Sequence, residues 1–305
     1  MSRPLHRTLV PLDGSRLAES VLPATFAIAS HSGATVTLFH VVEHHPPETV
    51  HGERHLDDFA EAAAYLASVA ARWQESGVPV EMHIHETKVH NVAESIASHA
   101  VELHADLIAM ATHGSGGLRG FLFGDIAQQT LRQISTPLLL VEPGEEERRF
   151  VGGTILVPVG GSEEEVRVAL PLAAQLARSV DARLHLVQVV PTVTTVRQGQ
   201  RGAATFSPTA TAAMLDLEGD QASETMRELR REFGDGLAVT SEVRRGNVVE
   251  EIERAIADSG AGLVVMGTHG RGSGLDSIFT GSVAARLISR TEVPFVLIPL
   301  RRRPA

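Results

Sequence analysis

The chain reads as an α/β protein built from two tandem, doubly wound parallel-sheet domains, and three observations predict this class. The stretch Leu9-Val10-Pro11-Leu12-Asp13-Gly14-Ser15 returns 147 residues later as Leu156-Val157-Pro158-Val159-Gly160-Gly161-Ser162. A second stretch, Leu107-Ile108-Ala109-Met110-Ala111-Thr112-His113-Gly114, returns as Leu263-Val264-Val265-Met266-Gly267-Thr268-His269-Gly270. A repeat this long marks duplicated domains rather than a solenoid. Within each copy, short apolar runs alternate with segments of helical periodicity, which is the signature of a parallel sheet covered by helices on both faces.

The elements of the first copy follow in order. Residues 8–12 form an apolar run ending at a Gly turn, hence a strand; Ala18, Val21, Leu22, Thr25 and Ala29 then recur at helical spacing. Residues 36–42 read as the second strand, 57–74 as a long helix, and 78–85 as a strand with interleaved polar residues. Asn91 is placed to cap a helix whose apolar positions Val92, Ile96, Ala100 and Leu103 share one face. Residues 106–111 form another buried strand before a Gly-rich turn, and a helix over 125–134 and a strand over 137–141 complete five strands and four helices. The second copy repeats the series from 154 to 299, with residues 191–208, rich in Thr, Gly and Gln, read as a loop. The expected boundaries are a first domain over 1–143, a charged linker over 144–153 and a second domain over 154–305.

Composition narrows the function. The 43% hydrophobic content can fill two cores, and no apolar run approaches the roughly 20 residues of a membrane span, so a cytoplasmic protein with no membrane partner is expected. A net charge of −10 argues against a nucleic-acid partner, because such binding draws on clustered basic residues. Lys88 is the only lysine, which excludes the usual phosphate-gripping loops of ATPases and kinases. The absence of Cys removes thiol chemistry. No nucleophile–base set is recognisable, leaving a slow ATPase as the most that catalysis could amount to.

Ligands of open parallel sheets sit at the carboxyl ends of the strands, beside the reversal of strand order, and both Gly-rich turns should lie there. Gly267, Gly270 and Gly281 would let backbone approach an anion, with Ser282 adding a hydroxyl at a helix start. A plain strand-to-helix crossover capped by Ser282 explains the same residues. His113 and His269, inside the turns, could donate to a ligand or bond the turn backbone. The N-terminal half holds 13 of the 15 histidines, but their spacing matches no metal motif, so no metal site is expected and a solvated surface is the preferred reading.

The whole chain resembles a tandem universal stress protein. Each copy carries the Val-Pro-x-Asp/Gly-Gly-Ser opening, a Val-Val pair at the end of the second strand, and the Met-Ala/Gly-Thr-His-Gly turn. The resemblance implies a Rossmann-like domain of adenine nucleotide alpha-hydrolase type and, in many members, ATP held by Gly-x-x-Gly, nine residues, then Gly-Ser/Thr. In the second copy it points to Pro158, Val159, Gly160, Val189, Met266, Gly267, His269, Gly270, Gly281, Ser282 and Val283, with adenine near Val159 and Val189. In the first copy the corresponding residues are Pro11, Asp13, Val41, His113, Gly114 and Gly124.

Neither copy keeps the whole pattern. The second has Gly160 where the family's nucleoside-contacting Asp stands, and ten residues separate Gly270 from Gly281. The first keeps Asp13 and the spacing of nine, but Ala111 replaces the first Gly and Asp125 replaces the Ser/Thr. A carboxylate at Asp125 would repel a triphosphate by about 1 to 4 kcal/mol at intermediate dielectric, which favours the second copy as the site. The expected ligand is ATP, alone or with magnesium or manganese, bound by a stress-response regulator. The alternative is a nucleotide-free interaction module with unknown protein partners. Pairing of the two domains through their last strands, 137–141 and 295–299, is expected, and a homodimer is compatible with the resemblance.

Overall fold

A computed structural model describes residues 5–44, 48–85, 87–112, 125–143, 153–160, 163–192, 195, 208–233, 236–269 and 282–300. The first unit runs β1 (Arg7–Pro11), α1 (Arg16–Glu19), α2 (Leu22–Ser32), β2 (Thr35–His40), a two-residue pair β3 (Thr49–Val50) and β4 (Glu53–Arg54), α3 (Phe59–Arg72), β5 (Val80–Ile84), α4 (Val92–Glu102), β6 (Leu107–Ala111), α5 (Asp125–Gln133) and β7 (Leu138–Val141). The second runs β8 (Thr154–Pro158), α6 (Glu163–Ser179), β9 (Arg183–Val190), α7 (Pro208–Glu232), β10 (Val239–Arg245), α8 (Val248–Ser259), β11 (Ala261–His269), α9 (Val283–Ile288) and β12 (Phe295–Leu300).

Buried apolar strands need both faces covered, and the chain meets this with one continuous sheet of ten strands, ordered β10-β9-β8-β11-β12-β7-β6-β1-β2-β5. Each unit has the same internal order and every pairing within it is parallel. The strand direction reverses only where the units meet, at the antiparallel pair β7–β12, with Phe295 opposite Leu140, Val296 opposite Leu139 and Leu297 opposite Leu138. All six side chains are buried to within 1% of complete. One face of the sheet carries a core including Val10, Phe26, Leu139, Val157 and Val296; the other includes Phe39, Leu138, Leu140, Val264 and Phe295. Both cores thus draw on both units, and α2 packs on α6 across the joint.

Local signals explain the helix starts. Asp58 accepts from the Ala60 and Glu61 amides to begin α3, Asn91 from Glu94 to begin α4, and Asn247 from Val249 and Glu250 to begin α8. Two differences from the sequence reading stand out. The first helix is broken into α1 and α2, because the Ser20 hydroxyl bonds back to the Leu17 carbonyl and Pro23, lacking an amide proton, sits in the first turn of α2. The segment after β2 is not plain loop: β3 and β4 form a small hairpin whose pairing Thr49–Arg54 and Val50–Glu53 spans too few residues to leave a periodic signal. The loop expected over 191–208 and the linker over 144–153 lie mostly outside the described residues.

Candidate functional site

In each unit the strand order reverses at the first strand, flanked by the second on one side and the fourth on the other. A cleft opens at the carboxyl ends of these strands in both units, as this topology requires. The second-unit cleft has a volume of about 390 Å³. Its floor is Pro158, Val159 and Gly160 after β8, Val187 and Val189 of β9, and Met266 and Gly267 of β11. Ser282, Val283 and Ala284 at the start of α9 close one side, and Val248 and Ile252 of α8 another. Eight residues singled out from four separate stretches of sequence therefore line one cavity. His269 ends β11, whereas Gly270 and Gly281 lie outside the described residues.

Ser282 has the extended backbone of a cap, and its hydroxyl accepts from the Ala285 amide at 3.1 Å. The capping reading of this residue is thus realised, and the residue also lines the cleft. Gly267 has an explanation of its own. A Cβ there would lie 2.9 Å from Glu165 Cα and 3.1 Å from its carbonyl oxygen, so the glycine lets α6 lie directly on β11. Gly160, by contrast, has room: an added Cβ would meet only Gln188 Cγ, at 3.9 Å.

The first-unit cleft is of similar size, about 410 Å³, and is lined by Pro11, Asp13 and Val41 among the residues expected. His113, Gly114 and Gly124 lie outside the described residues. Phe39, Ile96 and Met110 provide apolar walls, and Ala111 and Asp125 also line it. The β3–β4 segment folds over the Asp13 end. Gly14, at φ +96°, presents its bare α-carbon to Leu56, whose Cδ1 would be 2.9 Å from a Cβ. Asp13 Oδ1 accepts from the Ser15 amide at 2.9 Å and hydroxyl at 2.6 Å, while its Oδ2 lies 3.6 Å from His51 Nε2. Glu43 Oε1 faces His55 Nε2 at 3.2 Å.

The reading of the histidines as solvated surface holds for His6, His31, His44, His51, His90 and His104, which are exposed, and is corrected for three others. His40, His55 and His99 are 1%, 5% and 6% exposed. His99 packs on Phe39 with ring centres 4.7 Å apart and meets His85 at 3.3 Å between nitrogens. His40 Nδ1 bonds the Leu12 carbonyl at 2.7 Å, tying β2 to the end of β1. Burial holds its imidazole below the ordinary 6.5, against the pull of that carbonyl. Sequence reasoning also missed Glu43, His51 and His55 as cleft residues. Glu43 follows the Val41-Val42 pair directly, so its place beyond a strand's carboxyl end was a usable signal; the two histidines are brought in by the hairpin. Among the described residues no cluster of His, Asp and Glu is arranged to hold a metal ion.

Residues 4–142 and 153–299 each match the Universal stress protein family. The chain belongs to this family. A universal stress protein of Mycolicibacterium smegmatis is 28% identical over 138 residues, covering 44% of this chain and 45% of that protein. The aligned region thus spans less than half of that relative. The universal stress protein E homolog of Haemophilus influenzae is 27% identical over 221 residues, covering 69% of this chain and 67% of its own length. The crystal structure of a universal stress protein from Archaeoglobus fulgidus superimposes with a TM-score of 0.69 at 18% identity, covering 96% of both chains, which shows the shared fold. No helix among the described residues of this universal stress protein is long and apolar enough to cross a membrane.

Proposed function

We propose that this universal stress protein binds ATP in the second-unit cleft, alone or with magnesium or manganese, and acts as a nucleotide-dependent regulator in a cytoplasmic stress response. The observation that carries the reading is the convergence of Pro158, Val159, Gly160, Val189, Met266, Gly267, Ser282 and Val283 on one cavity. Val159 and Val189 give an apolar seat for adenine, and Ser282 at the α9 start gives one for phosphate; Gly270 and Gly281, outside the described residues, are the further phosphate residues the family pattern points to. Only one carboxylate, Glu165, lines this cleft among the described residues, against three in the first unit. The Glu165 backbone is engaged in packing on Gly267. With no catalytic set among the described residues of the cleft, our reading is binding rather than turnover.

The test is the nucleotide content of the purified protein by mass spectrometry of the denatured supernatant, followed by calorimetry of wild type and Ser282→Asp. Asp caps a helix as well as Ser does, so the fold is kept while a charge is placed where the phosphates would sit. ATP is expected at one per chain, weakened about tenfold or more by the substitution, since repulsion of about 1.4 kcal/mol suffices for a factor of ten. Unchanged affinity in a folded Ser282→Asp protein would remove phosphate from this cleft.

A further inference from the structure

Among the described residues the first-unit cleft differs from its sister in charge and in one buried group without a partner. Asp13, Glu43 and Asp125 line it, and among the described residues no Lys or Arg does. Asp125 occupies the position held by Ser282 in the second unit, at the end of the cleft where phosphate would lie. A polyphosphate there would meet like charge without a counter-ion from the described lining. The rest of the lining has features that suit a nucleoside. Phe39, Val41, Ile96 and Met110 form an apolar slot for a flat base, and Asp13 presents a carboxylate.

His55 adds the observation that points to a ligand. It lines the cleft, is 95% buried, and its Nδ1 has no hydrogen-bond partner although Nε2 is held by Glu43. A buried imidazole nitrogen left unpaired carries a desolvation cost that a hydroxyl or amino group of a ligand would remove. His51, on the hairpin, faces Asp13 from above. Together these place polar groups of both kinds around an apolar slot whose lining also includes the Asp125 carboxylate.

We infer that the first-unit cleft takes a nucleoside without phosphate, so that the two units of one chain distinguish the phosphorylated and unphosphorylated forms of the same kind of molecule. The base lies against Phe39, Ile96 and Met110, the ribose hydroxyls meet Asp13 and His55, and Asp125 rejects phosphate. The inference rests on the proposed function only for the assignment of ATP to the other cleft.

The chain carries its own reporters. Met110 lines the first cleft and Met266 the second, and the protein has only six methionines, so methyl-labelled methionine gives one signal per cleft, assigned through Met110→Leu and Met266→Leu. At pH 8, where an ordinary imidazole is neutral, wild-type protein is titrated with adenosine, AMP and ATP. Adenosine is expected to move the Met110 signal at concentrations at least tenfold below those at which AMP or ATP does. Asp125→Asn is expected to narrow that gap about tenfold, and His55→Phe to weaken adenosine fivefold or more. A Met110 signal that responds to ATP as readily as to adenosine, or to no probe, overturns the inference. So does a gap unchanged in Asp125→Asn, or adenosine affinity unchanged in His55→Phe. A Met266 signal silent to ATP refutes the proposed function instead, and leaves the Met110 result standing by itself.

Discussion

Replacing Gly267 by Ala asks whether this glycine serves packing or a ligand. The added methyl would sit 2.9 Å from Glu165 Cα and 3.1 Å from both its Cβ and its carbonyl oxygen. The Cα and the carbonyl oxygen are backbone atoms of α6, so no rotamer change relieves the contact, and either the helix or the strand must shift. Overpacking of this kind costs about 1 to 3 kcal/mol. Against it stands a gain of about 0.4 to 1 kcal/mol from the smaller conformational freedom of Ala in the unfolded chain. The net expectation is a loss of about 1 to 2 kcal/mol.

Urea unfolding of nucleotide-free protein measures this directly, and the midpoint should fall with the slope unchanged. Nucleotide must be absent, since a ligand bound only to the native state would hide the loss. The sister position makes the comparison sharp. Ala111 already carries a methyl, and over the fourth strand of the first unit lies the short α1, which ends at Glu19, in place of the long α6. Ala111→Gly should therefore relieve no strain and should cost about 0.5 to 1 kcal/mol as an ordinary strand glycine. A Gly267→Ala protein as stable as wild type would refute the packing argument and return the glycine to the ligand.

Two further outcomes test the joint and the buried histidine. Leu139 and Val296 face each other across the antiparallel pair that joins the units, so a double-mutant cycle of Leu139→Ala and Val296→Ala should give a coupling of about 0.5 kcal/mol or more by urea unfolding; additive losses would mean that the units do not share this core. His40 is held below 6.5 chiefly by burial, so the unfolded chain takes up its proton first and stability, complete above about pH 6.5, should decline as pH falls through that value toward the lowered folded one. His40→Gln, which installs the residue found at the matching register position, Gln188, should flatten that decline in melting temperature between pH 7 and 5, and an unaltered slope would exonerate His40.

The large elements were legible because their signals are local. Val36, Leu38 and their neighbours are a buried run, Asn91 precedes an amphipathic helix, and the 147-residue repeat showed that whatever one half did the other would do. The strand order placed the clefts, since a parallel sheet that reverses about its first strand leaves only one crevice per unit. Less was legible where a position depends on distant chain. Gly267 looked like a phosphate glycine, and only the approach of Glu165, about a hundred residues earlier, gives it a packing role.

The histidines make the same point in the other direction. Read along the chain, His51 and His55 are two polar residues in an unpatterned stretch, and solvent is the natural place for them. The hairpin changes that, because β3 and β4 turn the segment back over the β1 end, where Glu53 Oε2 accepts from the Arg16 amide at 2.6 Å and Leu56 fills the space above Gly14. Once the segment is pinned there, His55 is largely buried and shares the cleft with Glu43, while His51, still exposed, comes to rest beside Asp13. Duplication supplied two clefts of similar size; Asp13, Glu43 and Asp125 in one, against Glu165 alone in the described lining of the other, make their electrostatics unequal. A tandem chain that kept two identical sites would gain only stoichiometry, whereas these clefts differ in the charge of their described lining and stand on one continuous sheet whose two cores draw on both units across the β7–β12 joint.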